Sequence, residues 1–202
     1  MQDPTSTTKT LVGFGELLWD CFGDSRRPGG APANVAYHAQ QLGMTGVVCS
    51  SVGQDALGDE LIRHLRAHGL DTRCVRCDPD RPTGTVSVHA DQADAPTYTI
   101  HENVAWDHLV LDEAWQATFA SASAVCFGTL AQRSETNRRT LAGGLQRARG
   151  ALRVYDLNFR PPFYERAWVV ALLEQSDVFK LNHHEAVELA EMLGWEADRG
   201  LE

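Results

Sequence analysis

The chain has 202 residues, 43% hydrophobic and 22% charged, a composition that supports a sizeable core and excludes global disorder. Its 27 acidic residues against 18 Lys and Arg give a formal net charge of −9, which argues against a nucleic-acid partner and suits a compact enzyme acting on a small metabolite. No stretch approaches the roughly eighteen uninterrupted apolar residues of a membrane helix, so no membrane partner is expected.

Met1 to Thr10 is polar and lacks the apolar run of a signal peptide, so the expected location is cytoplasmic. Thr10 to Phe14 then reads as a buried strand. Pro32 to Leu42 is a predicted helix with Val35, Ala36, Ala39 and Leu42 on one face. Gly46 to Val52 is a second strand, followed by a helix over Leu57 to His68 with a stripe of Leu57, Leu61, Ile62 and Leu65.

Thr83 to Glu102 breaks the rhythm. Two β-prone runs, Thr85 to Val88 and Tyr98 to Ile100, flank the polar turn-forming stretch Asp91 to Pro96, the pattern of an antiparallel hairpin. Such an excursion serves either as a lid carrying binding residues or as an edge hairpin that extends the sheet. The alternation then resumes: strand Ala124 to Phe127, helix Glu135 to Arg149, strand Leu152 to Asp156, helix Glu165 to Glu174, strand Val178 to Leu181 and helix His184 to Leu193. Short strands alternating with helices indicate βαβ units around a mostly parallel sheet.

The strongest local feature is Gly29-Gly30-Ala31-Pro32-Ala33-Asn34, directly before a helix. Adjacent glycines let backbone approach a ligand closely, Pro32 suits the first helical turn, and Asn34 offers both a donor and an acceptor. The same pattern also makes a tight loop-to-helix junction without a ligand. Other signals are weaker. Cys74-x-x-Cys77 has metal spacing but no second pair, and the five cysteines are expected to be free thiols. His184-Glu185-x-x-Glu188 lacks the second histidine of a zinc-protease helix. Gly13-x-Gly15 lacks the third glycine of a dinucleotide fingerprint, because Leu18 stands there, which disfavours an oxidoreductase.

Taken in order, Gly13-Phe14-Gly15-Glu16, Asp20, the Gly-Gly-Ala-Pro-Ala-Asn turn, Val52-Gly53-Gln54-Asp55, Pro82-Thr83-Gly84-Thr85, Asp156-Leu157-Asn158-Phe159-Arg160-Pro161 and Lys180-Leu181-Asn182-His183-His184-Glu185 form an ordered set. The set resembles the ribokinase-like (PfkB) carbohydrate kinases and is closest in wording to the fructokinase-type sugar kinases. That resemblance implies a three-layer α/β/α fold with a mostly parallel central sheet and a small β lid, the lid strands falling within about residues 17–30 and 83–105. It implies ATP as co-substrate, Mg²⁺ as cofactor, and a small sugar, fructose or a related hexose, as acceptor.

The resemblance makes Asp20, Gly29, Gly30 and Asn34 sugar ligands, with Arg160 beside the substrate or a transferring phosphate. Arg160 alternatively forms a salt bridge to Asp156 or a neighbour. The alternative for Asp20 is a solvated loop carboxylate. On the phosphate side the resemblance places Asp156, Asn158, Asn182 and Glu185, with Glu185 reaching Mg²⁺ through water. One carboxylate and one amide suffice for a cation that keeps its waters, and Asn182 also suits a helix N-cap.

Family kinases carry a downstream Asp-Thr-x-Gly-Ala-Gly-Asp segment whose last Asp is the base and whose glycines form an anion hole. This sequence contains no such segment, so no catalytic base is assigned in it. The expectation is an incomplete ribokinase-like domain over residues 1–202, without the C-terminal ATP-binding part and inactive alone. The alternative is a non-catalytic sugar-binding or interaction module. Lid strands of the family often pair between subunits, which makes a homodimer through the lid a further expectation.

Overall fold

The computed structural model describes residues 8–89 and 97–195. The turn expected at Asp91 to Pro96 and most of the polar N-terminus lie outside these residues. In chain order the elements begin with β1 (Thr10–Phe14), β2 (Leu18–Phe22), β3 (Ser25–Gly29), α1 (Ala31–Gln41), β4 (Thr45–Gly53), α2 (Ala56–Ala67) and β5 (Val75–Asp78). They continue with β6 (Gly84–His89), β7 (Thr97–Ile100), α3 (Glu113–Ser121), β8 (Ala124–Gly128), α4 (Glu135–Arg147), β9 (Leu152–Asp156), α5 (Arg166–Glu174), β10 (Val178–Lys180) and α6 (His183–Leu193). No helix among the described residues is long and apolar enough to cross a membrane.

The central sheet has six strands in the order β10-β9-β8-β1-β4-β5, and every pairing in it is parallel. From β1 the chain builds outward to β4 and β5, then returns to β8 on the other side. That reversal makes a switch point at the carboxyl end of β1, where ligands enter open α/β sheets. Strand alternation splits the core in two. Val12, Phe14, Val47 and Cys49 pack with Trp115 and Phe119 of α3 and Leu141 and Leu145 of α4. Val48 and Val52 face Ala33 and Ala36 of α1 and Leu61 and Leu65 of α2. With both faces covered, β4 is buried along almost its whole length, as expected for a parallel strand.

A second sheet, of order β3-β2-β6-β7, stands apart from the first. β6 pairs antiparallel with β7, placing Val86 opposite Ile100, and parallel with β2, placing Val86 opposite Asp20. The hairpin therefore belongs to a separate sheet and does not extend the central one. Asp20 lies in a strand of that sheet, so the solvated-loop alternative is corrected: pairing with β3 and β6 leaves it half-buried.

The segments around Asp55 and Thr83 tie this second sheet to the body. Asp55 caps α2 by accepting the Gly58 N–H at 2.8 Å. The same carboxylate accepts the Thr83 N–H at 2.8 Å and the Thr83 hydroxyl at 2.7 Å. Thr83 Oγ1 in turn accepts the Gly53 N–H at 2.9 Å. Burial pushes the Asp55 carboxyl up, but the hydrogen bonds from Thr83, Gly58 and Leu57 outweigh it and hold the group below its ordinary value.

Two elements have no counterpart in the sequence reading. α3 is nine residues long; Asp112 caps it by accepting the Trp115 N–H at 2.8 Å, and Trp115 and Phe119 meet Phe14 edge-on at 6.0 and 6.1 Å. β5 is a four-residue edge strand. α3 buries only Trp115, Thr118 and Phe119, and β5 is the largely polar Val-Arg-Cys-Asp, so neither carries an apolar pattern that periodicity registers.

Candidate functional site

A cavity of about 730 Å³ opens where β1, β8 and β9 end beneath the second sheet. It brings together Asp20, Gly29, Gly30, Asn34, Asp156, Asn158 and Arg160. Val86, Tyr98 and Ile100 of the hairpin line it from the other side. The cavity thus mixes a few polar groups from both sides, Asp20 from the second sheet and Asp156, Asn158 and Arg160 from the body, with apolar lining such as Val35, Val86, Ile100 and Leu130, as small-molecule sites do.

Each polar group is placed by local backbone. Asp20 stands opposite Arg27 and diagonal to Gly29 across the β2–β3 pair, and a Cβ on Gly29 would come within 2.5 Å of Asp20 Oδ2, so glycine there leaves the carboxylate its place. Gly30 has φ +117°, and a Cβ on it would lie 2.3 Å from the Glu16 carbonyl oxygen. Pro32 then sits in the first turn of α1, and Asn34 closes that turn by donating its N–H to the Gly30 carbonyl at 3.0 Å, its side chain left exposed. Burial raises the Asp20 carboxyl above its ordinary value, and the Arg160 guanidinium pulls against that shift.

Asp156 is nearly buried and pairs with Lys180 at 3.0 Å, across the β9–β10 register that sets the two residues side by side. This corrects the alternative in which Arg160 pairs with Asp156. Arg160 instead donates to the Phe159 carbonyl at 2.9 Å and remains exposed toward the cavity. Asn158 holds φ +42°, a left-handed conformation that asparagine tolerates better than most residues.

Asn182 and Glu185 lie outside the cavity lining, at the β10–α6 junction. They form a reciprocal capping box: Asn182 Oδ1 accepts the Glu185 N–H at 3.0 Å, and Glu185 Oε2 accepts the Asn182 N–H at 2.8 Å. Glu185 Oε1 also accepts the Phe159 N–H at 3.2 Å, which ties α6 to the loop after β9. Glu185 is buried, and each of its carboxyl oxygens already accepts one backbone amide. Among the described residues no three His, Cys, Asp or Glu side chains group as a metal site. With both Glu185 oxygens engaged by backbone amides, a cation at this junction would have to be held mainly by water and phosphate oxygens rather than by this carboxylate directly.

Two residues of the site carried no role in the sequence reading. Lys180 is seen only through its pairing with Asp156. Glu16, buried to 2% exposure, lines the cavity from the loop after β1. Its Oε1 accepts the Ala31 N–H at 3.2 Å, and its Oε2 has no hydrogen-bond partner among the described residues. Burial lifts its carboxyl from 4.5 to about 7; the Glu16 and Ala31 amides and Arg160 oppose the rise, and Asp156 adds to it. Its place within Gly13-Phe14-Gly15-Glu16 was visible, but its burial was not.

The family model of the pfkB family carbohydrate kinases matches residues 1–202. A putative sugar kinase of Pyrococcus horikoshii is 29% identical over 197 residues, covering 89% of this chain and 63% of that protein. Probable fructokinase-3 of Arabidopsis thaliana is 26% identical over 211 residues, covering 95% of this chain and 61% of that one. The crystal structure of a fructokinase from Xylella fastidiosa with bound ATP superposes with a TM-score of 0.84 at 25% identity, covering 95% of this chain and 63% of that chain. The chain therefore spans somewhat under two thirds of the length of the curated relatives it matches.

Proposed function

We propose a function from the premise that this chain belongs to the pfkB family of carbohydrate kinases: it supplies the acceptor-sugar half of an ATP-dependent sugar kinase. The observation that carries the reading is the single cavity joining Asp20, Gly29, Gly30, Asn34 and Arg160 at the switch point of the sheet. Asp20 accepts hydrogen bonds from sugar hydroxyls, as a carboxylate with two oxygens does well. Asn34 adds a donor and an acceptor, and the Gly29–Gly30 backbone allows the ring to approach. The acceptor is a neutral hexose of the fructose type, in line with the fructokinases among the relatives.

Arg160 and Lys180 provide the positive charge that a transferring phosphoryl group requires, next to Asp156 and Asn158. Bound Mg²⁺ would screen the ATP phosphates, and Asn182 and Glu185 are the residues to hold its hydration shell in place. The β2–β3–β6–β7 sheet acts as a lid whose Val86, Tyr98 and Ile100 exclude water from the sugar. A homodimer through that sheet is compatible with the exposure of Tyr98.

The sequence contains no Asp-Thr-x-Gly-Ala-Gly-Asp segment, so in our reading this chain binds sugar without transferring phosphate by itself. Calorimetric titration of D-fructose, with and without Mg·ATP, tests the reading. We expect saturable fructose binding that Asp20→Ala abolishes, and no ADP release above background. Absence of fructose binding, or an Asp20→Ala chain that binds like the parent, would overturn the acceptor assignment. Sugar phosphorylation by the purified 22.2 kDa chain would overturn the claim that it lacks transfer. Sugar binding wholly indifferent to Mg·ATP would favour the non-catalytic sugar-binding module.

A further inference from the structure

Glu16 sits where a carboxylate is hard to keep. It is buried, it reaches across to the first amide of α1 at Ala31, and its backbone carbonyl oxygen lies where a Cβ on Gly30 would come within 2.3 Å of it. Gly30 caps α1 without any side-chain bond, so Glu16 serves as a remote cap from another part of the chain. One oxygen is thereby used. The other is buried, bonded to nothing among the described residues, and belongs to a side chain lining the cavity. A buried polar atom without a partner is destabilising by about 1–3 kcal/mol, so a fold that keeps one has a reason outside packing.

The charged and titratable groups around it come from every neighbouring element. Asp20 approaches from β2, Asp156 from the end of β9, Arg160 from the loop beyond it, Lys180 from β10, His38 from α1 and the Cys126 thiol from β8. Carboxylates and cations are mixed, so an anionic acceptor would meet Glu16, Asp20 and Asp156 together. A hydroxyl satisfies the orphaned oxygen without adding charge.

We propose that Glu16 is a further acceptor-positioning residue: one carboxyl oxygen locks the Gly30–Ala31 turn, and the other accepts a hydrogen bond from a hydroxyl of a neutral polyol. This rests on the reading of the cavity as the acceptor site. In the free protein a proton on the second oxygen removes the cost of a buried charge there. When the polyol arrives, that proton leaves to solvent and the sugar O–H takes its place as donor.

With the Glu16 carboxyl at about 7, this exchange couples sugar binding to pH. Affinity for D-fructose should rise by up to about tenfold from pH 6 to pH 8, because the carboxylate accepts the hydroxyl more strongly than the protonated carboxyl does. Asp20 also titrates above its ordinary value, so the comparison with Glu16→Gln, rather than the parental slope, assigns the effect. Gln keeps an acceptor for the Ala31 N–H and cannot ionise. Titration of D-fructose into the parent, E16Q, E16A and D20A chains, each checked by thermal melting, makes the test. We expect a flat pH profile for E16Q and at least about tenfold weaker binding at pH 8 for E16A. If D20A loses the sugar while E16Q keeps the parental slope, the role of Glu16 is overturned and the acceptor site stands. If D20A binds unchanged, the acceptor site falls and Glu16 with it.

Discussion

Asp55 and Glu16 are both carboxylates placed at the start of a helix, and they have opposite fates. Asp55 caps α2 and accepts from Gly58 and from both the N–H and hydroxyl of Thr83. Its hydrogen bonds outweigh its burial, and it stays charged below its ordinary value. Glu16 caps α1 from a distance with one oxygen, leaves the other unbonded, and is pushed up to about 7 by burial. The difference is one of burial and satisfaction together: Glu16 is fully buried with one oxygen unbonded, whereas Asp55 is only partly buried with both oxygens engaged. A carboxylate whose oxygens are all engaged by the chain holds the fold together; one with an oxygen to spare beside a cavity is placed for something that enters it.

The largest effect that sharpens this contrast is a pH-dependent stability gap. The stability contributed by neutral Glu16 is fully present below pH 4.5 and is lost as pH rises through about 7. Urea denaturation should therefore show the parent falling by about 3 kcal/mol relative to E16Q between pH 4.5 and pH 8. Parallel pH profiles for the two chains would break the comparison.

Next in size is Asp55→Ala. Removing a cap that also anchors Thr83 should lower stability by about 2 kcal/mol at neutral pH. Because the Asp55 carboxyl is held below its ordinary value, the deficit should be constant near neutrality and shrink as acid carries the pH down through that value. A deficit that grows in acid would contradict the assignment.

Asn182→Ala removes half of the α6 capping box and should be destabilising by about 1 kcal/mol in the same denaturation experiment. The smallest effect belongs to Arg26, whose ion pair with Glu60 joins side chains 41% and 36% exposed. Arg26→Ala should change stability by less than about 0.5 kcal/mol, since solvent and salt screen such pairs. A larger loss would mean that exposure matters less than the contrast between Asp55 and Glu16 supposes.

Much of the body was legible because its signals are local. The apolar runs of β1, β8 and β9 and the stripe on α2 announce themselves, and the Gly-Gly-Ala-Pro-Ala-Asn turn marks the start of α1. The strand Ser25–Gly29 does not: Ser-Arg-Arg-Pro-Gly has little β-propensity and exists through its pairing with β2. α3 and β5 went unseen for want of a clear apolar pattern. At the site, Asp20 and Asn34 were readable as residues, but the pairing of Asp156 with Lys180 depends on the β9–β10 register. The clasp between Asp55 and Thr83 joins positions far apart in the chain. The burial of Glu16 arises only when the end of β1, the Gly30 turn and the loop after β9 come together. Such features are tertiary, and residue pattern alone does not carry them.

The most direct measurement is a carbon-13 NMR titration of the side-chain carboxyls, with and without D-fructose. The account predicts a Glu16 midpoint near 7 that moves downward when fructose is added, beside an Asp55 midpoint below the ordinary range that fructose leaves in place. A Glu16 midpoint among ordinary glutamates, unmoved by fructose, would contradict it.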